Sequence, residues 1–276
     1  MRLAVCFFGN LGWELRDSQK VSLDTTVVRE NIAFIKSKNK DVLFFGHCWS
    51  SAFSEDLRTM DFTRLEIEPQ KSFCWDGSES YSKGSLKKYK NYLDRRFKNN
   101  EDAFLYATRS KSRWYSTCRS LELMKHFISD TGVLFDNVLF LRYDVKLKDS
   151  FSFDMHLSDV VLGDSSRYYD RYVGKKNLLR VFMKTLVGVN RISVQPKIFS
   201  SILFWRNYLH ISDTWILISF EKCDTLKSLY LQHGHYHCSP HIALYELICF
   251  YDLSMKFNND QGIDYNLKRF PRLNGL

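Results

Sequence analysis

The stretch FDNVLFLRYDV at residues 135–145 places four consecutive apolar residues, 138–141, directly before Arg142, Tyr143 and Asp144. A short apolar run bounded by polar residues on both sides is typical of a strand that is buried on both faces of a sheet. The arginine and the aspartate follow at the point where such a strand ends. The stretch therefore predicts a central strand with two charged residues at its carboxyl end.

Further apolar runs of this kind alternate with helical patterns along the chain. Strands are expected near residues 3–8, 41–46, 65–67, 160–162 and 215–219, and helices near 21–35, 86–97, 113–128, 223–232 and 240–250. Short apolar strands that alternate with helices are typical of an α/β protein with a parallel or mixed sheet covered on both faces. We therefore expect a mixed, mostly parallel sheet flanked by helices, in a single domain of residues 1–276.

The bulk composition restricts the class of protein. A chain of 276 residues with 45% hydrophobic residues and four prolines has the mix of a globular protein without long linkers. Its seven cysteines include no Cys-x-x-Cys pair, which favours reduced thiols in a cytosolic compartment. No window has the apolar length of a membrane span, and the run 3–8 is too short for a signal peptide. We expect a cytoplasmic location, with a peripheral position at a membrane surface left open.

The net charge of +9 favours an anionic partner, although a solvated basic surface is the alternative. A nucleic-acid-binding protein is one function consistent with this charge and with 16% aromatic residues. Such a protein needs a basic stripe interleaved with exposed aromatic residues, and the sequence shows none, so no nucleic-acid partner is expected. A serine hydrolase is disfavoured because the chain lacks a Gly-x-Ser-x-Gly elbow.

Glycine, polar or charged residues follow three of the predicted strands. They are Gly9-Asn10, His47 with Trp49, and the group 142–144. Ligands of such sheets bind beyond the carboxyl ends of the strands, so these positions predict the site. Gly9 would let the backbone approach a ligand and Asn10 would offer an amide, or the two form an ordinary turn. Trp49 would stack on a nucleobase or pack in the core.

Four stretches, taken in order, resemble those of a family of small GT-A-like glycosyltransferases from surface-polysaccharide clusters and some viruses. They are AVCFFGNL (4–11), DVLFFGHCW (41–49), RWYS (113–116) with FDNVLFLRYDV (135–145), and ISDTW (211–215) with SFE (219–221), Ser239, Pro240 and Glu246. The chain departs from the family at Phe8 and Gly12, where a basic residue is missing, and at Thr214, which replaces a glutamine. The resemblance covers most of the chain.

This resemblance implies a GT-A-like, Rossmann-like fold and a nucleotide-sugar-dependent hexosyl- or pentosyltransferase of polysaccharide biosynthesis. The implied partners are a UDP- or GDP-linked sugar donor and a glycan acceptor. Residues 1–150 would form the nucleotide-sugar-binding half and residues 151–276 the acceptor-binding half. The residues expected at the donor are Phe8, Gly9, Asn10, His47, Trp49, Arg113, Tyr115, Ser116, Arg119, Arg142, Tyr143 and Asp144.

The start of the helix predicted over 113–128 is one part of this expected site. Its free N–H groups would bind an anion, and Arg113 or Arg119 would add positive charge. Ordinary helix capping with a solvated arginine is the alternative.

The leaving diphosphate has to be neutralised by a metal ion, a basic side chain or backbone N–H groups. Asp144 is expected to bind a divalent cation, Mn²⁺ or Mg²⁺. Arg142 stands where the common Asp-x-Asp motif has its first acid, so it would pair with a phosphate or a structural carboxylate instead. His235 or His237 would complete the metal shell. A zinc-stabilised interaction module, or ordinary loop histidines, are the alternatives for the histidine-rich segment 233–241.

Two carboxylates are alternatives for the catalytic group. Asp213 precedes Trp215, and Glu246 lies on the predicted closing helix. Either would contact the acceptor or the donor sugar, as a hydroxyl ligand or as a general base.

Overall fold

A computed structural model describes residues 1–9, 11, 25–51, 54–73, 100–155, 158–164, 211–233, 236, 240–258 and 263–264. Its strands are β1 (Leu3–Gly9), β2 (Val42–Trp49), β3 (Arg64–Glu68), β4 (Asn137–Arg142), β5 (Lys146–Leu147), β6 (Val160–Asp164), β7 (Ile211–Ser219), β8 (Met255–Asn258) and β9 (Ile263–Asp264). Its helices are α1 (Thr26–Lys38), α2 (Ser54–Leu57), α3 (Asn100–Thr131), a 3-10 helix (Phe220–Lys227), α4 (Ser228–Leu231) and α5 (Pro240–Phe250).

Seven strands form one sheet in the order β3-β2-β1-β4-β7-β6-β8. Strands β3, β2, β1 and β4 are parallel to one another, and β6 is parallel to β8. Strand β7 is antiparallel to both of its neighbours, β4 and β6, and is the one strand described in this sheet that runs the opposite way. The prediction of a mixed, mostly parallel α/β sheet flanked by helices is therefore confirmed. Strands β5 and β9 form a separate antiparallel pair.

Helices cover the two faces of the sheet because the side chains of each strand point alternately to either side. Strand β1 lies at the centre and is buried on both faces. Its Leu3, Val5 and Phe7 belong to a core cluster with residues of α1, and its Ala4, Cys6 and Phe8 belong to a second cluster with residues of α3. This two-sided burial explains the continuous apolar run at the start of the chain.

Gly46 of β2 allows an aromatic layer to close on the α1 face. A Cβ atom at this position would lie 2.6 Å from the Tyr143 hydroxyl oxygen and 2.8 Å from Cε1 of Phe62. Phe7 packs against the same two rings, at centroid distances of 5.4 Å from Tyr143 and 5.7 Å from Phe62. A glycine is therefore required for these rings to approach β2.

Helix α3 corrects one expectation. It begins at Asn100, whereas the sequence pattern predicted a helix start at Arg113. Because Arg113 lies inside the helix, the backbone N–H groups that follow it donate to carbonyl groups one turn earlier. The predicted anion site at a helix N-terminus there is therefore wrong. The helix predicted over 86–97 lies outside the described residues, and no described helix is both long and apolar enough to cross a membrane.

Candidate functional site

The order of the strands reverses between β1 and β4, and this is the point at which an open α/β sheet has its binding crevice. The chain proceeds from β1 outward to β2 and β3, and then returns to the other side of β1 to form β4. Such a reversal leaves space beyond the carboxyl ends of the two central strands, where ligands of open α/β sheets bind. Phe8 of β1 is paired with Arg142 of β4, so Gly9 and Arg142 flank this point.

Arg142 and Asp144 form an ion pair at the end of β4. The Arg142 Nε atom donates to Oδ1 of Asp144 at 2.8 Å, and its Nη2 atom donates to Oδ2. The side chains of Arg142 and Asp144 are 26% and 12% exposed, so both still reach solvent. The sequence offered two alternative partners for Arg142, a phosphate or a structural carboxylate. In the structure its partner is a carboxylate, that of Asp144.

A hydrogen-bonded chain links the end of β1 to the ends of β2 and β3. The Gly9 N–H donates to Oγ of Ser116 at 2.8 Å, and the same oxygen lies 2.8 Å from Nδ1 of His47. The other ring nitrogen of His47, Nε2, lies 2.8 Å from Oε1 of Glu68. Lys71 pairs with Oε2 of Glu68 at 2.9 Å. Four segments distant in sequence are thereby connected: β1, β2, α3 and the region that follows β3.

The ionisation of this chain follows from its surroundings. Burial lowers the pKa of His47, although its bond to Glu68 acts in the opposite direction, so the ring is neutral at neutral pH. Burial alone would raise the pKa of Glu68, but hydrogen bonds from Lys71, His47 and Tyr115 outweigh it and lower that pKa to about 2. A neutral histidine therefore stands beside an ionised carboxylate.

The hydrogen-bonded series of Ser116, His47 and Glu68 has the composition of a hydrolytic triad. The burial of its members excludes that function. Ser116 and His47 have no exposed surface. A nucleophilic oxygen has to meet the substrate, and the Ser116 oxygen already accepts the Gly9 N–H. The chain of bonds is therefore structural.

Ion pairs hold a second acid of β3 against α3. Arg119 donates to both carboxylate oxygens of Glu66, at 3.0 Å and 2.7 Å, and also to Glu122. The pKa of Arg119 is raised, chiefly by its hydrogen bonds to Glu66. Arg119, expected to carry free positive charge for a phosphate, is thus neutralised by two acids.

Three side chains of this region have the composition of a metal site. One ligand atom from each of His47, Glu66 and Glu68 lies within 4.8 Å of the other two. Each is already engaged: His47 by Ser116 and Glu68, Glu66 by Arg119, and Glu68 by His47 and Lys71. A divalent cation would have to displace two cationic side chains, so this arrangement is a charge-compensated cluster rather than a prepared site. Asp144 is likewise engaged by Arg142.

Trp49 packs with other aromatic side chains beside this cluster. Its ring stacks on Tyr115 at a centroid distance of 5.4 Å and an angle of 14°, and it contacts the edge of His47 at 4.9 Å. Trp49 is 4% exposed. Of the two roles considered for it, the described contacts correspond to core packing. Tyr115 also contacts Tyr230, so α4 borders the same region.

The other residues predicted at the donor and the metal either lie elsewhere in the fold or fall outside the described residues. Tyr143 lies on the α1 face against Phe7 and is 2% exposed, and the Arg113 guanidinium lies 5.3 Å from the ring of Phe8. Asn10, His235 and His237 lie outside the described residues.

The two carboxylates predicted as catalytic lie in different regions. Because β7 is antiparallel to β4 and Trp215 pairs with Leu141, the backbone at Asp213 lies at the edge where β4 ends. Glu246 lies six residues into α5. Burial raises the pKa of Tyr236 and Cys249, and the charge of Glu246 adds to this rise. The strand pairing thus brings the Asp213 backbone to the end of β4.

Three polar residues of the cluster were not predicted. Glu66 and Glu68 lie in β3, a strand of five residues whose membership of the sheet was uncertain from its length, and Lys71 follows it. The available signal was the alternation of Glu66 and Glu68, which places both on one face of a strand. His47 pairs with Glu66 across the sheet, so this face is the one that meets α3.

Comparisons with known proteins identify no family. No protein-family model and no curated protein matches the sequence. Similar solved structures include a protein provisionally described as a nucleotide-diphospho-sugar transferase from Desulfovibrio desulfuricans G20, with 8% identity, a TM-score of 0.36, and coverage of 94% of this chain and 80% of that one. Core-mannan synthase A from Aspergillus fumigatus, in a manganese and GDP form, has 8% identity, a TM-score of 0.40, and coverage of 93% and 72%.

A third similar structure is a nucleoside-diphosphate-sugar pyrophosphorylase from Vibrio cholerae RC9. It has 8% identity, a TM-score of 0.39, and coverage of 95% of this chain and 93% of that one. These neighbours are thus described as a nucleotide-diphospho-sugar transferase, a core-mannan synthase and a nucleoside-diphosphate-sugar pyrophosphorylase. At these identities and TM-scores the similarity carries no argument about activity, which has to be argued from the residues.

Proposed function

We propose that this protein is a glycosyltransferase that moves a hexosyl or pentosyl group from a UDP- or GDP-linked donor to a glycan acceptor. One observation carries the proposal. The pairing of Phe8 with Arg142 brings Gly9 and the Arg142–Asp144 pair together where the strand order reverses between β1 and β4, which supports a ligand site there. A crevice at this point with a guanidinium at its border suits a ligand that carries phosphates.

Arg142 is the group proposed to bind the diphosphate. Its guanidinium already donates two parallel hydrogen bonds to the two oxygens of Asp144. A diphosphate offers pairs of oxygen acceptors that also match the guanidinium fork, and it carries more negative charge, so it can take over these bonds. In the reaction the bond between the sugar and the diphosphate breaks, and Arg142 would stabilise the negative charge that develops on the leaving oxygen.

Asp213 is the group proposed to act on the acceptor, with Glu246 as the alternative. As the acceptor hydroxyl attacks the anomeric carbon, its proton has to leave, and a carboxylate within hydrogen-bonding distance would take it. The position of the Asp213 backbone at the carboxyl edge of β4 supports this choice.

The predicted divalent cation, Mn²⁺ or Mg²⁺, is a separate part of the proposal. Among the described residues, Asp144 would be its ligand only after Arg142 has turned to the diphosphate. His235 and His237, proposed as further ligands, lie outside the described residues. Such a cation would add positive charge at the phosphates, and the steps above do not depend on it.

A nucleotide-binding titration tests the proposal. UDP, GDP and their sugar conjugates are added to the wild type with Mn²⁺, with Mg²⁺ or with a chelator, and unfolding is followed by heating. Binding at a hundredfold excess over Kd stabilises the folded state by about 2.7 kcal/mol. We expect one nucleotide class to give such a stabilisation, and Arg142→Ala to abolish it. Arg142→Lys should weaken binding about tenfold, because a lysine cannot donate two parallel bonds.

Arg64→Ala is the matched control. Arg64 also forms a partly exposed ion pair with an aspartate, Asp130, but far along α3 from the crevice. This variant should bind the nucleotide like the wild type. The absence of stabilisation by every nucleotide under every metal condition would refute the proposal, and so would equal binding by Arg142→Ala and the wild type.

A further inference from the structure

We infer that Ser116 and His47 are positioning residues. They fix the Gly9 peptide at the end of β1 from its buried side and do not contact the donor. Sequence reasoning placed both at the nucleotide sugar. Their connection to the turn stands on the described contacts alone, while the consequence for donor affinity rests on the proposed function.

The hydrogen bonds run in one consistent direction. Glu68 is ionised and can only accept, so Nε2 of His47 carries the proton that bonds to it. The neutral ring then presents Nδ1 as an acceptor, and the Ser116 hydroxyl donates to it at 2.8 Å in preference to the His47 carbonyl oxygen at 3.3 Å. The Ser116 oxygen is left free to accept the Gly9 N–H. The hydrogen-bonding partner of each group in the series therefore determines which atom carries the proton.

Burial separates the inner from the outer members of this series. His47 and Ser116 have no exposed surface, whereas the side chains of Glu68 and Lys71 are 18% and 49% exposed. A ligand in the crevice therefore cannot touch the inner pair while the fold is intact. The carboxylate at the outer end holds the imidazole in one tautomer, and the imidazole in turn orients the serine hydroxyl.

Gly9 is the residue on which this series ends. Its φ of +103° is a conformation that residues with side chains rarely adopt. Its N–H points inward to Ser116, so this N–H is not a donor for a phosphate. What the series fixes is the Gly9 peptide at the end of β1, next to Arg142 of the neighbouring strand. A fixed peptide beside the ligand lowers the entropy that a bound donor would otherwise have to remove.

Amide hydrogen exchange at Gly9 tests the inference in the full chain without any ligand. Ser116→Ala removes the acceptor of the Gly9 N–H, and we expect exchange at Gly9 to become about tenfold faster or more. Ser120→Ala is the matched control. Ser120 lies one turn further along α3 and is equally buried, but its hydroxyl donates to the Thr117 carbonyl within the helix. Exchange at Gly9 should not change in this variant, and Ser116→Thr should restore most of the protection.

Donor affinity is the second measurement. With the nucleotide identified by the titration above, Ser116→Ala should raise Kd about three- to tenfold, and Ser120→Ala should leave it unchanged. Reduced affinity with unchanged Gly9 exchange would show direct contact with the donor and overturn the inference. Unchanged exchange and unchanged affinity would overturn it as well.

A second variant tests the same inference if Ser116→Ala does not fold. Glu68→Ala removes the acceptor at the partly exposed end of the series, and the ¹⁵N shifts of the His47 ring should then report a loss of the single Nε2–H tautomer. A tautomer unchanged by this substitution would contradict the inference. If the wild type binds no nucleotide, the proposed function fails, while the exchange and tautomer measurements still decide the positioning role.

Discussion

Gly46→Ala is expected to destabilise the protein through one identifiable contact. The added Cβ would lie 2.6 Å from the Tyr143 hydroxyl oxygen, 2.8 Å from Cε1 of Phe62 and 3.0 Å from Cδ1 of Leu65. The oxygen belongs to a rigid ring that is 2% exposed and stacked on Phe7. Several tenths of an ångström of movement are needed to relieve each contact, and that movement has to pass into a packed layer.

The magnitude follows from two opposing effects. Overpacking of this kind costs about 1–3 kcal/mol, and replacing a glycine by alanine recovers about 0.4–1 kcal/mol by restricting the unfolded chain. The free energy of unfolding should therefore fall by about 1–2 kcal/mol. For a protein of this size each kcal/mol corresponds to about 2–4 °C, so Tm should fall by about 2–8 °C.

Tyr143→Phe identifies the contact responsible. The Tyr143 hydroxyl is buried and has no hydrogen-bond partner among the described residues, so its removal alone should change stability by less than about 1 kcal/mol. Combined with Gly46→Ala, it removes the closest atom and should recover about half of the lost stability. Urea unfolding of the four proteins measures the coupling. Strictly additive effects of the two substitutions would refute the reasoning.

Four other perturbations have outcomes that the described contacts and burial predict. Gly9→Ala forces a side chain onto a residue with φ of +103°, although nothing lies within 4 Å of the new Cβ. The free energy of unfolding should therefore fall by about 1–2 kcal/mol. Denaturant titration measures this change, and a variant as stable as the wild type would contradict the prediction. Because burial lowers the pKa of His47 below 6.5, the unfolded chain binds a proton that the folded protein does not, and stability should decrease as pH falls below about 6.5; His47→Gln should lack this decrease. The lowered pKa of Glu68, about 2, predicts a further loss between about pH 4.5 and 2, which Glu68→Gln should not show. Four cysteines, Cys6, Cys48, Cys118 and Cys223, are buried, and burial raises the pKa of each of these thiols. A thiol reagent should therefore label at most three of the seven cysteines in the native protein. Rapid labelling of more than three cysteines would contradict the burial of these four.

The strands could be predicted from the sequence because burial on both faces leaves a continuous apolar run. The runs 3–8, 41–46 and 138–141 lie within or overlap β1, β2 and β4. The helix predicted over 113–128 is the part of α3 with apolar residues at helical spacing. The earlier residues are a continuous apolar run, AFLYA at 103–107, followed by the polar TRSKS at 108–112, so no helical periodicity located the start at Asn100.

The sequence predicted that the candidate residues lie near strand ends, and it did not predict their contacts. That Gly9, His47 and Arg142 lie at one edge follows from each being at or near the carboxyl end of a parallel strand. The partners of these residues depend on pairs distant in sequence, such as His47 with Ser116, 69 residues apart. No local pattern contains such a pair. The same applies to β7, whose antiparallel direction brings Asp213 to the crevice and depends on how a distant segment returns to the sheet.

The pairing of β4 with β7 has a consequence for any attempt to divide the chain. Strand β4 belongs to the segment 1–150 and β7 to the segment 151–276, and five residue pairs join them in the middle of the sheet. A truncated chain that stops near residue 150 would expose the hydrogen-bonding edge of β4, together with apolar side chains such as Leu139 and Leu141 on one face. Open edges of this kind recruit other chains. We therefore expect the isolated first segment to self-associate, and the two segments to regain solubility only when they are produced together.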